Sequence, residues 1–408
     1  MTNKQLSLMT VIKGNYPHQM ERFEEIRPYH DHEVRPALNR LLQDRELIQA
    51  LVRHQYPRVP DYLNGLAGWL TSMGLRYKLK GIHDIDGLQA VIEPFLTRVI
   101  EGSTSGMSFS GLDKLDKQQA HLFLSNHRDI VMDPAFVNLA IYKHGMQTVR
   151  IAIGDNLLQR PFVSDLMRLN KSFIVKRSVE GRREKLKSYQ TLSAYIHHSI
   201  DTGHPVWIAQ SEGRAKDGDD KTDSAIIKMF HMSRKAADTS FADSIRSMNL
   251  VPVSIAYEYD PCDMAKAREL YETEKEGNYE KFEGEDLQSI VTGIEGFKGK
   301  VHVSFGTPLT DNYENANQVV DEVDRQIHQN YHLFASNLIA FDRLRSDFPE
   351  VTERSLEALF AQFCPEESLP HKLKEFNDRL SLCSQEHQPW FLKMYANPVI
   401  NHFHRKQP

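Results

Sequence analysis

The sequence predicts an α/β fold: a mixed, mostly parallel sheet flanked by helices, with helical extensions at both ends. Three observations carry that expectation. Between about residues 110 and 310, short apolar runs that end in polar clusters alternate with segments of helical pattern. On either side of this stretch, apolar residues recur at three- and four-residue spacing instead. A Gly/Ser-rich segment, residues 102–111, stands where the N-terminal helical spacing gives way to that alternation, as a linker would.

In chain order, helices are expected from about residue 21 to 100. Val34, Leu38, Leu41, Leu42, Leu47 and Leu51 supply the apolar spacing, and Asp61 is a cap for a second helix carrying Leu63, Leu66, Trp69, Leu70 and Met73. Strands are expected over 121–124, 149–153, 173–175, 205–209, 250–257 and 301–305, and helices over 134–144, 184–201 and 225–237. From about 314 onward the pattern is helical again. The chain thus reads as a helical N-terminal region (1–105), an α/β domain (106–310) and a helical C-terminal region (311–408).

A chain of 408 residues can bury a full core, and three widely spaced cysteines fit a reducing compartment rather than a disulfide or zinc scaffold. A formal net charge of −5 gives no reason to expect nucleic-acid binding, so any anion site must be local. No run approaches the roughly 18 apolar residues that span a bilayer, and the first residues lack the apolar core of a secretion signal. The expectation is a cytoplasmic protein, with a peripheral position at the inner face of the membrane open to it. The helix over 63–75, with Trp69 and the following Arg76, Lys78 and Lys80, reads either as an interfacial contact or as a core stripe.

Four clusters carry the chemistry. In the first, an apolar strand runs into Asn126-His127, followed by Asp129 and Asp133. Histidine is suited to take a proton near neutral pH, and a carboxylate on its second nitrogen would hold the tautomer, with a substrate hydroxyl as nucleophile. Asp133-Pro134 also reads as a helix start, with Asp as N-cap. In the second cluster, nine Lys and Arg between Arg160 and Lys187 face only Asp165, Glu180 and Glu184; Arg177, at a strand end, is the best candidate for a phosphate contact, and a solvated basic face is the alternative. The third is a strand that stops at a turn carrying Glu212, Gly213, Arg214 and Lys216, with close backbone approach at Gly and donors for phosphate. The fourth, Val251-Pro252-Val253, reads as a buried strand with Pro252 at its start or at a kink.

Taken in order, these clusters resemble the four blocks of the glycerolipid acyltransferase superfamily, and the strand Val301–Phe305 is similar to one that closes that domain. The likeness covers roughly residues 110 to 310 and is most marked to the soluble plastid-type glycerol-3-phosphate acyltransferases. Three positions depart from the pattern. Lys171 stands where a Gly is usual, Glu212-Gly213-Arg214 is one residue short, and five residues rather than four separate His127 from Asp133. One extra residue turns a helical position by about 100°, so Asp129 is the alternative orienting carboxylate. The resemblance implies His127 as base with Asp133, and Asn126, Arg177, Glu212, Gly213, Arg214 and Lys216 as substrate-binding residues. It implies acyl-CoA or acyl-carrier protein as co-substrate, a glycerol-phosphate acceptor, and no metal or cofactor. A catalytically silent lipid- or acyl-carrier-binding protein on the same fold is the rival expectation. No Gly-x-Ser-x-Gly elbow supports a hydrolase.

Overall fold

The computed structural model describes residues 21–56, 64–235, 237–282 and 284–404. Asp61 and Leu63 lie outside them. Helices α1 (Asp31–Leu41), α2 (Arg45–Gln55), α3 (Asn64–Lys78) and α4 (Ile85–Ser103) come first. Strands and helices then alternate: β1 (Gly106–Ser110), β2 (Leu122–Ser125), α5 (Met132–Lys143), β3 (Arg150–Gly154), α6 (Pro161–Leu169), β4 (Ser172–Val175), α7 (Arg182–Asp201), β5 (Val206–Ala209), α8 (Ser224–Lys235), α9 (Phe241–Arg246), β6 (Leu250–Tyr257), α10 (Asp263–Glu276), α11 (Glu285–Glu295) and β7 (Lys300–Phe305). Helices α12 (Ala316–Asn330), α13 (Ala335–Leu344), α14 (Leu356–Phe363), α15 (Leu369–Ser381) and α16 (Gln388–His404) close the chain.

These elements form two compact units. One comprises the described residues of Met1–Pro94 together with Arg150–His198; the other comprises Phe95–Val149 and Ser199–Pro408. The first crossing falls inside α4 at Pro94, where proline removes an N–H from the helical ladder.

In the second unit five strands lie in the order β1-β7-β6-β2-β5. The β1–β7, β6–β2 and β2–β5 pairs are parallel, and β6–β7 is antiparallel. Every residue of β2 and β6 is buried, which is why both read as continuous apolar runs rather than as alternating ones. Pro252 lies inside β6, not at its start; its carbonyl accepts from the Gly306 amide, and the ladder with β7 begins one residue later, at Val253. The stretch expected as a linker, 102–111, instead contains β1. This strand pairs with β7 at the sheet edge and is mostly exposed, so it needs no apolar pattern and leaves none in the sequence. Helices α10 and α11, for which the sequence raised no expectation, occupy the stretch between β6 and β7. The C-terminal helices share a core with β6 and α10, in which Phe334, Leu338, Phe341, Phe376, Phe391 and Tyr395 are buried with Ala256 and Ala267.

Also in this unit, His302 of β7 bonds the Ser108 hydroxyl through Nδ1 (2.7 Å) and the Ser110 hydroxyl through Nε2 (3.0 Å), and its ring centre lies 4.8 Å from that of His332. Burial, and then the neighbouring His332, lower its pKa from 6.5 to about 4. Between those values the folded chain binds fewer protons here than the unfolded chain. Stability from this group is therefore complete above pH 6.5 and is lost as pH falls to about 4. The denaturant midpoint is expected to drop across that window, and less steeply in His302→Asn; equal slopes in the two proteins would refute the assignment.

In the first unit β3 and β4 pair in parallel, Ile151 opposite Ser172. Val34, Ala37, Leu38 and Leu41 of α1 bury against Ile82, Ile85, Leu88 and Leu169. Lys171, just before β4, has φ 59°. That is the left-handed region, which costs a side-chain-bearing residue roughly 1–2 kcal/mol and accounts for the Gly usual at this position. Much of the basic stretch is structural: Arg160 pairs with Glu46, Lys171 with Asp86 and Lys176 with Glu25, and Arg168 donates to the carbonyls of Glu25 and Arg27. Arg182, Arg183, Lys185 and Lys187 of α7 remain as an exposed basic face. Leu66, Trp69, Leu70 and Met73 of α3 are each half exposed or more, so this stripe is not core. Among the described residues no helix is long and apolar enough to cross a membrane.

Candidate active site

Strand β2 lies inside the second unit's sheet, held by β6 on one side and β5 on the other, and it delivers the chain to His127 two residues past its end. Asn126 fixes that exit. Its side-chain oxygen accepts from the Ile255 amide (2.7 Å), and its Nδ2 donates to the Ile255 carbonyl and to Asp220 Oδ2 (3.1 Å each). Asn126, expected among the substrate-binding residues, is fully buried with its amide bonded to protein groups.

His127 Nδ1 lies 2.8 Å from Asp133 Oδ2. That oxygen also accepts the backbone amides of Arg128 (2.6 Å) and Asp129 (2.9 Å), while Oδ1 accepts the Tyr257 hydroxyl (2.6 Å). Because every other contact to Asp133 is a donor, Nδ1 carries the proton, and Nε2 keeps a lone pair. The Asp133 side chain has no exposure, whereas that of His127 keeps 14%, so the imidazole is reachable and its orienting carboxylate is sealed from water. Trp207 of β5 meets the imidazole edge to face at 5.8 Å and is fixed in turn by its indole N–H donating to Ser125 Oγ (3.0 Å).

The five-residue spacer closes because residues 128–131 form a turn around Asp129. The Asp129 Oδ1 accepts the amides of Val131 (3.0 Å) and Met132 (2.8 Å) and so ties the turn to the start of α5; Val131 is the N-cap, and Asp133, expected there, sits in the first helical turn and points back at the histidine. Burial, reinforced by the Asp133 charge, raises the Asp129 pKa. Helix α11 crosses directly over this carboxylate at Gly293, where a Cβ would lie 1.9 Å from Asp129 Oδ2, so only glycine allows the approach.

Beneath the turn runs a buried network that the sequence did not disclose. Arg128 Nη2 donates to Asp220 Oδ2 at 2.6 Å, both side chains being at most 5% exposed, and its guanidinium lies 5.6 Å from the Tyr331 ring centre. Burial alone would lower the Arg128 pKa; Asp220, joined by Tyr331, Asp260 and Asp217, more than offsets it, and the guanidinium is held charged. Lys266 Nζ donates to the Arg128 carbonyl (2.7 Å) and pairs with Asp260.

The turn after β5 reaches the histidine through its backbone, the Ala215 amide donating to the His127 carbonyl at 2.8 Å. Gly213 has φ 81°. Arg214 forms no hydrogen bond or ion pair among the described residues, whereas Lys216 Nζ lies 2.6 Å from Glu269 of α10. Helix α16 braces the same loop: Asn397 Nδ2 donates to the Asp217 carbonyl (2.8 Å) and Asn401 Nδ2 to the Asp219 carbonyl (2.9 Å). Asn126, His127, Asp133, Glu212, Gly213, Arg214 and Lys216 thus belong to one unit; Arg177 belongs to the other, at the end of β4, with its amide donating to Asp155 Oδ1 (3.0 Å).

Arg128, Asp220, Tyr257, Trp207, Glu269 and Asn397 escaped sequence reasoning. The one available signal was the charge of Arg128 beside the histidine; the others acquire meaning only through long-range contacts.

An oriented imidazole with a sealed carboxylate, next to a turn rich in donors, is equipped to deprotonate a hydroxyl. Residues 106–256 match the family model described as acyltransferase. Among solved structures the chain is similar to the 1-acyl-sn-glycerophosphate (LPA) acyltransferase PlsC from Thermotoga maritima, with 15% sequence identity and a TM-score of 0.37 over 60% of this chain and 78% of that one. No curated protein matches it.

Proposed function

We propose that this chain transfers a fatty acyl group from an acyl thioester, acyl-CoA or acyl-carrier protein, to a hydroxyl of glycerol-3-phosphate or 1-acyl-glycerol-3-phosphate. The observation that carries the reading is the 2.8 Å contact between His127 Nδ1 and the sealed Asp133 carboxylate, within the residues that match the acyltransferase family model. His127 Nε2 takes the acceptor's hydroxyl proton while the oxygen attacks the thioester carbonyl. The tetrahedral intermediate collapses with loss of thiolate, which recovers the proton from the imidazolium, and Asp133 stabilises that cation throughout. Arg214 and Lys216 supply charge for the acceptor phosphate, with Glu212 and Gly213 shaping the turn. The exposed α3 stripe, followed by Arg76 and Lys78, supports a peripheral contact with the lipid surface where such acceptors reside.

The test is a screen of purified full-length protein with each labelled donor against each acceptor. Thiol release matched one to one by ester formation is the expected result. Absence of transfer in every pairing would sink the reading, and thiol release without acceptor would mark a hydrolase instead.

A further inference from the structure

We propose that Glu269 sets the affinity and charge preference of the acceptor-phosphate site by competing with the phosphate for Lys216; this rests on the reading above that Arg214 and Lys216 receive that phosphate. Lys216 Nζ lies 2.6 Å from Glu269 Oε1, with side-chain exposures of 27% and 12%. A pair this shielded from water is coupled more strongly than a solvated surface pair. Two residues away, Arg214 forms no hydrogen bond or ion pair among the described residues, so the turn presents one open cation and one neutralised cation.

Neither side of the pair is free to drift away. Helix α10 is anchored by Asp263, whose carboxylate accepts from Arg379 (2.6 Å) and Tyr395 (2.7 Å), and by Glu274, which accepts from the Trp390 indole (2.9 Å). The turn is anchored by Asn397 and Asn401. An incoming phosphate therefore meets Lys216 with Glu269 still beside it. The carboxylate cancels one of the two positive charges and disfavours a dianionic phosphomonoester relative to a singly charged phosphate.

Removing that charge in Glu269→Gln is expected to lower KM for glycerol-3-phosphate about two- to fivefold, as for loss of a competing ion pair of ordinary strength. The effect falls on KM rather than kcat and is absent with glycerol, which carries no phosphate. Glu269→Asp, which keeps the charge, should stay close to the parent. Calorimetric titration with inorganic phosphate reads the same competition without turnover: Gln at this position should tighten binding by a similar factor. Unchanged or weaker phosphate binding in Glu269→Gln would overturn the proposal and make Glu269 a mere support for Lys216. If the parent protein acylates no phosphate acceptor, the functional reading fails, and the phosphate titration still decides the role of Glu269.

Discussion

Replacing His127 with alanine should lower turnover by about 10²–10⁴-fold, the range lost when a positioned general base is removed, with little change in the unfolding midpoint. The imidazole's packing contact is an edge-to-face meeting with Trp207, so truncation removes chemistry more than core. Asp133→Asn should fall in the same range of activity loss for a different reason. An amide oxygen at the Oδ2 position can still accept the amides of Arg128 and Asp129, and its nitrogen can face the Tyr257 hydroxyl, so the geometry survives while the charge opposing the imidazolium is gone. Asp129→Asn is the informative contrast. An asparagine oxygen can accept the same two amides, and the Asp129 carboxylate contacts amides at the α5 start rather than the imidazole, so this variant should retain activity within severalfold. Steady-state kinetics on the three variants, with circular dichroism to verify folding, separate the roles. A larger loss in Asp129→Asn than in Asp133→Asn would reassign the orienting carboxylate.

The largest effect on stability is expected at Asp220. Asp220→Ala leaves the Arg128 guanidinium buried without its counter-charge and strips a partner from Asn126, which should cost about 3–5 kcal/mol, read as a lower urea midpoint. Arg128→Met with Asp220→Leu removes both charges together and should recover most of that loss, since an apolar pair needs no compensation. A double variant as unstable as Asp220→Ala would show that the ion pair is not the source. The single variant should also lose activity, because Arg128 directly follows the histidine and its amide donates to Asp133.

The fold class and the acyltransferase likeness were legible in the sequence for a simple reason. Strands buried on both faces, such as β2 and β6, must be almost wholly apolar, and their polar ends, Asn126-His127 and the Glu212–Lys216 turn, stand out against them. Where burial is partial the signal fades. Edge strand β1 was hidden in a Gly/Ser-rich stretch because exposure frees it from pattern, and the exposed stripe of α3 has the same spacing a core stripe would have. Residue types and local order are sequence properties, and they determined the candidate base, its two candidate carboxylates and the basic turn. Which carboxylate faces the imidazole depended on a turn closed by the hydrogen bonds of residues 128–132, which spacing alone cannot specify. That Asp220 neutralises Arg128 from 92 positions away, that Glu269 meets Lys216, and that α16 braces the turn from the far end of the chain were decided only by tertiary structure, because these contacts rest on long-range packing that leaves no period and no motif behind.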